Sequence, residues 1–165
     1  CSGALILFRG EMLEDIRIEG QYFDEVYFSY GEDIDLAWRA QLLGWQARFT
    51  PEAKAHHVGS GSSDERLRFV DKPAFLQRHL LKNRYLTLVK NTSTGVLPYV
   101  LLPFILAEPL VWLYLLLRLP WRFPYLLLAL ADTCRHLPTA LRWRRQLMRR
   151  QRVSAAYIRQ FLRRV

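Results

Sequence analysis

The spacing of apolar positions changes several times along the chain, and each change predicts an element. Residues 4–8, "ALILF", are uninterrupted apolar positions and predict a short, fully buried strand. In "RGEMLEDI" Met12, Leu13 and Ile16 share one side of a short helix, which ends by Gly20. "QYFDEVYFSYG", residues 21–31, has no helical period and reads as an aromatic loop or ribbon closed by Gly31. From Glu32 the period becomes helical. Ile34, Trp38 and Leu42 lie four apart, Ala37 and Leu43 flank them, and Gly44 is a stop, which predicts about three turns. "WQARFT" then alternates like a strand as far as Pro51, and "AKAHHVGSGSS" reads as a strand end running into a Gly/Ser loop.

A second helix is predicted from about Lys72 to Lys90, where Phe75, Leu76, His79, Leu80, Asn83 and Leu86 keep helical spacing. "NTSTG", Asn91 to Gly95, has the composition of a linker and divides the chain into residues 1–90 and 91–165. Val96 to Leu117 follows with Glu108 as its one charge, and as a helix it would be roughly 33 Å long, enough to cross a bilayer core. Pro98, Pro103 and Pro109 and the central carboxylate oppose a straight span. "FPYLLLALA", Phe123 to Ala131, is too short to cross alone. Two arrangements stay open: a single span or kinked hairpin, and helices lying in the membrane interface with their apolar sides down. A very apolar core helix of a soluble bundle is the third, and the arginine-rich flanks disfavour it. In "SAAYIRQFLRRV" Tyr157, Ile158, Phe161, Leu162 and Val165 gather on one side, Arg159, Arg163 and Arg164 face elsewhere, and Ser154 suits a helix cap.

Charge sharpens this picture. Residues 1–35 hold nine acids and two arginines, whereas residues 133–165 hold ten arginines and no acid, so the net charge of +9 averages two opposite halves. Arginines interleaved with bulky apolar residues at helical spacing suit anionic membrane lipids, and no nucleic-acid module accompanies them, so nucleic acid is not an expected partner. The basic end is expected on the cytoplasmic side. Cys1 and Cys134 stand apart, with no CxxC or Cys/His cluster, as reduced thiols would. The chain opens without Met on a buried-strand pattern, and nothing there resembles a signal peptide, so a preceding segment is expected. At 165 residues and 51% hydrophobic composition it can form one domain with a real core.

The candidate chemistry lies in "YGEDIDLAWR", Tyr30 to Arg39. Acids in the first turn of a helix are favoured by the macrodipole by about 0.3–1 kcal/mol each, with no catalysis involved. Glu32, Asp33 and Asp35, however, emerge from an aromatic wall, Trp38 and Arg39 follow one turn later, and His56 and His57 precede a Gly/Ser loop. Carboxylates near imidazole and a cation suit proton abstraction, metal binding or both.

Residues 2–63 carry several separate words in order: a small "GA", then "FDEVYFSYGEDIDLAWRAQLLG", then "PEAKAHH" and a Ser-rich loop. This order resembles the second half of the catalytic domain of bacterial family 2 glycosyltransferases of the rhamnosyltransferase-like group. The resemblance implies an α/β fold, the second half of a nucleotide-diphospho-sugar transferase (GT-A type) domain over residues 1–90, followed by a mostly α-helical membrane-associated region over 91–165. It implies an enzyme, part of a longer parent chain, that transfers a sugar with inversion from a nucleotide-sugar donor to a glycan or lipid-linked acceptor in cell-surface polysaccharide synthesis. The site would be the cytoplasmic face of a bacterial inner membrane. Asp33 matches the family's catalytic base. Glu32 and Asp35 would flank it in the acceptor pocket with Tyr30 and Trp38, and Gly3 and Ala4 match the small pair that lets an acceptor come close, although tight packing explains them equally. Arg39 would pair with Asp35 or approach phosphate, the ion pair being preferred. His57 would approach a divalent metal, Mg or Mn, while His56 is a surface or packing residue. The family's metal-binding DxD and donor-binding strands have no counterpart here, so this chain alone is not expected to bind nucleotide-sugar. From a different class comes a non-catalytic, membrane-tethered interaction module whose acids and rings form a protein-binding patch.

Overall fold

The structure, a computed structural model, describes residues 5–56 and 68–162. Among them are six α-helices: α1 (Gly10–Ile16), α2 (Glu32–Leu42), α3 (Ala74–Asn91), α4 (Leu97–Arg118), α5 (Phe123–Arg150) and α6 (Ala155–Leu162). Short 3-10 turns at Glu25–Tyr27 and Phe69–Asp71 complete the regular structure. The α/β expectation is therefore corrected: no strand or sheet forms among the described residues, and the sole β-type contact is the isolated bridge between Ile18 and Gln21. Residues 5–8 and 45–50, expected as strands, are irregular. An apolar run has no partner of its own, and among the described residues none pairs with either segment to complete a ladder. Leu7 and Phe49 are almost fully exposed, so residues 5–8 are not the buried strand, nor residues 45–50 the alternating strand, that their patterns suggest.

Helix limits follow ordinary local rules. Gly31, at φ +90°, turns the chain into α2, and Gly44, at φ +86°, takes it out, both in the left-handed region that glycine tolerates best. Ser154 Oγ accepts a hydrogen bond from Tyr157 N at 3.2 Å and starts α6. Pro98 and Pro124 sit in first turns, where the missing N–H costs nothing. Pro103 and Pro109 lie inside α4 and Pro138 inside α5, yet each remains one helix. "FPYLLLALA" is thus the opening of a 28-residue helix rather than a short apolar piece.

Helices α3 and α5 form the main pair, with α2 against α3 and α1 against α2. One apolar cluster joins Met12 and Ile16 of α1 and Leu36 and Leu42 of α2 to Val96, to Trp143 and Leu147 of α5 and to Ile158 of α6. A second gathers Leu81, Leu115, Leu119, Leu126 and Ala129. The first cluster crosses the boundary expected between residues 90 and 91. Helix α4 is long and apolar enough to cross a membrane, and very little of it is buried.

Candidate active site

Helix α3 has an unusual inner face. Gln77, Lys82, Asn83, Thr87, Lys90 and Asn91 are all buried there, where an apolar seam would be expected. Lys82, Asn83, Thr87 and Lys90 grip the segment that leads into α2. Asn83 Nδ2 donates to the carbonyls of Tyr27, Ser29 and Tyr30 at 2.9, 2.9 and 2.7 Å. Lys82 donates to the Val26 carbonyl. The Asn83 clamp holds a backbone that would otherwise avoid this path, since Phe28 and Tyr30 have φ of +61° and +68°. Such conformations cost of order 1–3 kcal/mol each and persist only where neighbours over-determine them.

Behind that loop lies a closed ionic network. Asp35 is fully buried. Its Oδ2 accepts from Arg39 Nε at 3.0 Å, and its Oδ1 accepts from Asn91 Nδ2 at 2.8 Å and faces Lys90 Nζ at 2.9 Å. Lys90 also reaches Asp24 Oδ2 at 2.6 Å, and Arg39 donates to the carbonyls of Ile16 and Tyr22 at 2.8 and 2.6 Å. Two carboxylates and two cations thus balance out of water, as buried charges must. Burial pushes the Asp35 carboxyl up, but Lys90 and then Arg39 and Asn91 outweigh it and hold it below the usual carboxylate range. Burial, reinforced by the Asp35 charge, pushes the Tyr27 phenol well above its ordinary value, and its hydroxyl hydrogen-bonds Thr87 at 2.7 Å.

In front of the network, Glu32 and Asp33 begin α2 and line a cleft of about 310 Å³ with Ile6, Phe8 and Phe23. Both acids are half-buried, and Asp33 Oδ1 accepts from the Ile34 backbone N–H at 2.8 Å. Glu32 Oε2 is buried and accepts no hydrogen bond from the described residues. The cleft therefore combines two carboxylates at a helix N-terminus with apolar and aromatic walls, a lining suited to holding a hydroxyl-bearing molecule against a carboxylate.

The other expected site residues are distributed differently. Asp35 has no surface to offer an acceptor, because the network encloses it; its role is to lock α2 to α3. Arg39 is likewise 0% exposed and engaged with Asp35 and two carbonyls, so it presents no surface to a phosphate from solvent. Trp38 packs on the first apolar cluster. Tyr30 stands beside Lys72, whose Nζ donates to its hydroxyl at 3.2 Å. His56 is exposed. Gly3, Ala4 and His57 lie outside the described residues. The sequence reading missed Phe8 and Phe23 as cleft walls and Asn83, Lys90 and Asn91 as supports. The spacing of Asn83, Thr87, Lys90 and Asn91 (i, i+4, i+7, i+8) was the available signal of one polar helix face.

No family model, curated protein or solved structure matches this chain. Among the described residues no three His, Cys, Asp or Glu side chains are grouped to hold a metal ion, so the Mg or Mn implied by the resemblance finds no ligand set there.

Proposed function

We propose that this chain supplies the acceptor-side base of an inverting glycosyl transfer at a membrane surface, with Asp33 in that role. An acceptor hydroxyl seated in the cleft gives its proton to the Asp33 carboxylate as its oxygen attacks the anomeric carbon of a nucleotide-sugar. The new C–O bond forms on the face opposite the breaking bond to the diphosphate, which leaves with the electron pair. Glu32 Oε2 receives a second hydroxyl of the same acceptor and fixes its orientation. Phe8 and Phe23 cover the apolar face of the ring or of a lipid-linked carrier and keep water from competing. The donor and a divalent metal belong to parts of the parent enzyme beyond these residues. The apolar α4 and the arginine-rich α5 and α6 hold the cleft near its acceptor, at the cytoplasmic face of a bacterial inner membrane.

The observation that carries this reading is the placement of Asp33, half-buried on an aromatic-walled cleft rather than on the open side of α2. The test is Asp33→Asn in the intact parent protein, with transfer of labelled sugar from nucleotide-sugars to membrane acceptors as readout. Loss of a general base is expected to lower turnover by about 10²–10⁴-fold while circular dichroism and donor binding stay unchanged. Unaltered turnover, or a native protein that transfers no sugar, would leave the non-catalytic interaction module instead.

A further inference from the structure

The outer surface of α4 poses a question that its composition leaves open: does this helix cross a bilayer or lie along it? Its inward row, Val100, Phe104, Glu108, Val111, Trp112 and Leu115, is the less exposed one. The opposite side shows Leu101, Leu102, Ile105, Leu106, Leu110, Leu113, Leu116 and Leu117 to the surroundings, and no charge interrupts it from Leu97 to Leu117. A contiguous apolar face of this size marks an interaction surface.

What decides the occupant is how the helix is fastened. At its start, Val96 is fully buried in the cluster with Met12, Trp143 and Ile158, and Arg159 Nη1 donates to Tyr99 Oη at 2.6 Å. At its middle, Arg84 Nη2 of α3 donates to both Glu108 oxygens at 2.7 and 2.6 Å, and Trp112 Nε1 donates to Oε1 at 2.7 Å. At its end, Leu115 and Leu119 pack with Leu81, and Arg122 Nη1 donates to the Lys72 carbonyl at 2.9 Å. Start, centre and finish are thus tied to the same polar body. A crossing α4 would draw Arg78, Lys82 and Arg84 of α3 to membrane depth with it, a cost that lying along the surface avoids.

We infer that α4 lies in the plane of an anionic phospholipid surface, its leucines in the acyl boundary and its ends on the same side. Exposed cations are available to headgroups at Arg118, the C-terminus of α4, and at Arg135, Arg145 and Arg149 along α5. The exposed Trp121 in the turn after α4 is the residue type favoured at headgroup depth. The inference rests on the membrane location proposed above and fixes its geometry.

Spin labels at Leu102, Leu106, Leu110, Leu113 and Leu117 test it, each introduced as a single Cys into the full chain after Cys1→Ser and Cys134→Ser. The variants are bound to vesicles of phosphatidylcholine and phosphatidylglycerol in equal parts, and depth is read from oxygen against nickel-chelate accessibility. The expected result is one shallow depth at all five positions, with binding about tenfold or more weaker on phosphatidylcholine alone. A profile deepest at Leu106 and Leu110 and shallower toward Leu117 would overturn the in-plane geometry while keeping the membrane location. Water-accessible labels at every position would overturn both. Equal binding to the two vesicle types would remove the anionic surface. The Asp33→Asn assay reads the transfer chemistry independently of all three.

Discussion

Replacing Asp35 with Asn removes one charge from a set of four that has almost no contact with water. Asp35 and Arg39 are 0% exposed, Lys90 1% and Asp24 6%. The substitution leaves two cations against the single carboxylate of Asp24, which touches Lys90 at 2.6 Å. Stranding a buried charge in this way costs about 3–5 kcal/mol, a large part of the roughly 5–15 kcal/mol that keeps a domain folded. Lys90→Met alone strands the opposite sign at similar cost. The double variant Asp35→Asn/Lys90→Met restores balance, with Asp24 and Arg39 remaining, so its loss falls short of the summed single losses by about 1–3 kcal/mol. Urea unfolding in mild detergent would measure all three. Trp143 is a suitable fluorescent reporter, because its ring lies 4.6 Å from Lys90 Nζ and 5.8 Å from the Arg39 guanidinium carbon. A loss below about 1 kcal/mol for Asp35→Asn, or strict additivity in the double variant, would refute the reasoning.

Three further outcomes are expected. The Asp35 carboxyl is held below its unfolded value, so its contribution is complete above about pH 4 and is lost as pH falls through the lower folded value. Urea midpoints between neutral pH and pH 3 should therefore fall more steeply for the native chain than for Asp35→Asn. Asn83→Ala frees three carbonyls of a left-handed loop and should cost about 1–3 kcal/mol by thermal melting, with acceptor KM rising because the Phe23 and Glu32 walls lose their support. Gly95→Ala would place a methyl 2.6 Å from the Ala155 Cβ and should destabilise by about 1–3 kcal/mol, with α6 cleaved faster by trypsin and Ala155→Gly restoring it.

The sequence showed those features whose causes are local. Helix α2 was readable because Ile34, Trp38 and Leu42 repeat every four residues and Gly44 ends them; the Asp35–Arg39 pair was readable because i, i+4 places the two side by side. Lys90 and Asn91 are distant in sequence, 66 residues from Asp24 and 56 from Asp35, and nothing near them signals that they share a pocket with those acids. The expected linker at Asn91 to Gly95 illustrates the same limit. Its turn-forming composition is real, but Asn91, Thr92 and Ser93 are buried, Asn91 against Asp35 of α2. Strands failed because short apolar runs such as "ALILF" state only that a segment can be buried; pairing is a property of neighbours. For the cleft, Glu32 and Asp33 were visible as a pair at a helix start, whereas Phe8 and Phe23 reach it only through tertiary packing.

The cluster shared by α1, α2, α5 and α6 bears on how this molecule can be handled. A common way to obtain a well-behaved protein is to delete the greasy, cationic C-terminal part and keep the acidic portion. Here that cut would strip Met12, Ile16, Leu36 and Leu42 of Val96, Trp143, Leu147 and Ile158, turning a shared interior into an adhesive outer surface. The shortened product would precipitate sooner than the whole chain, and detergent chosen for the intact protein is the better route to a sample.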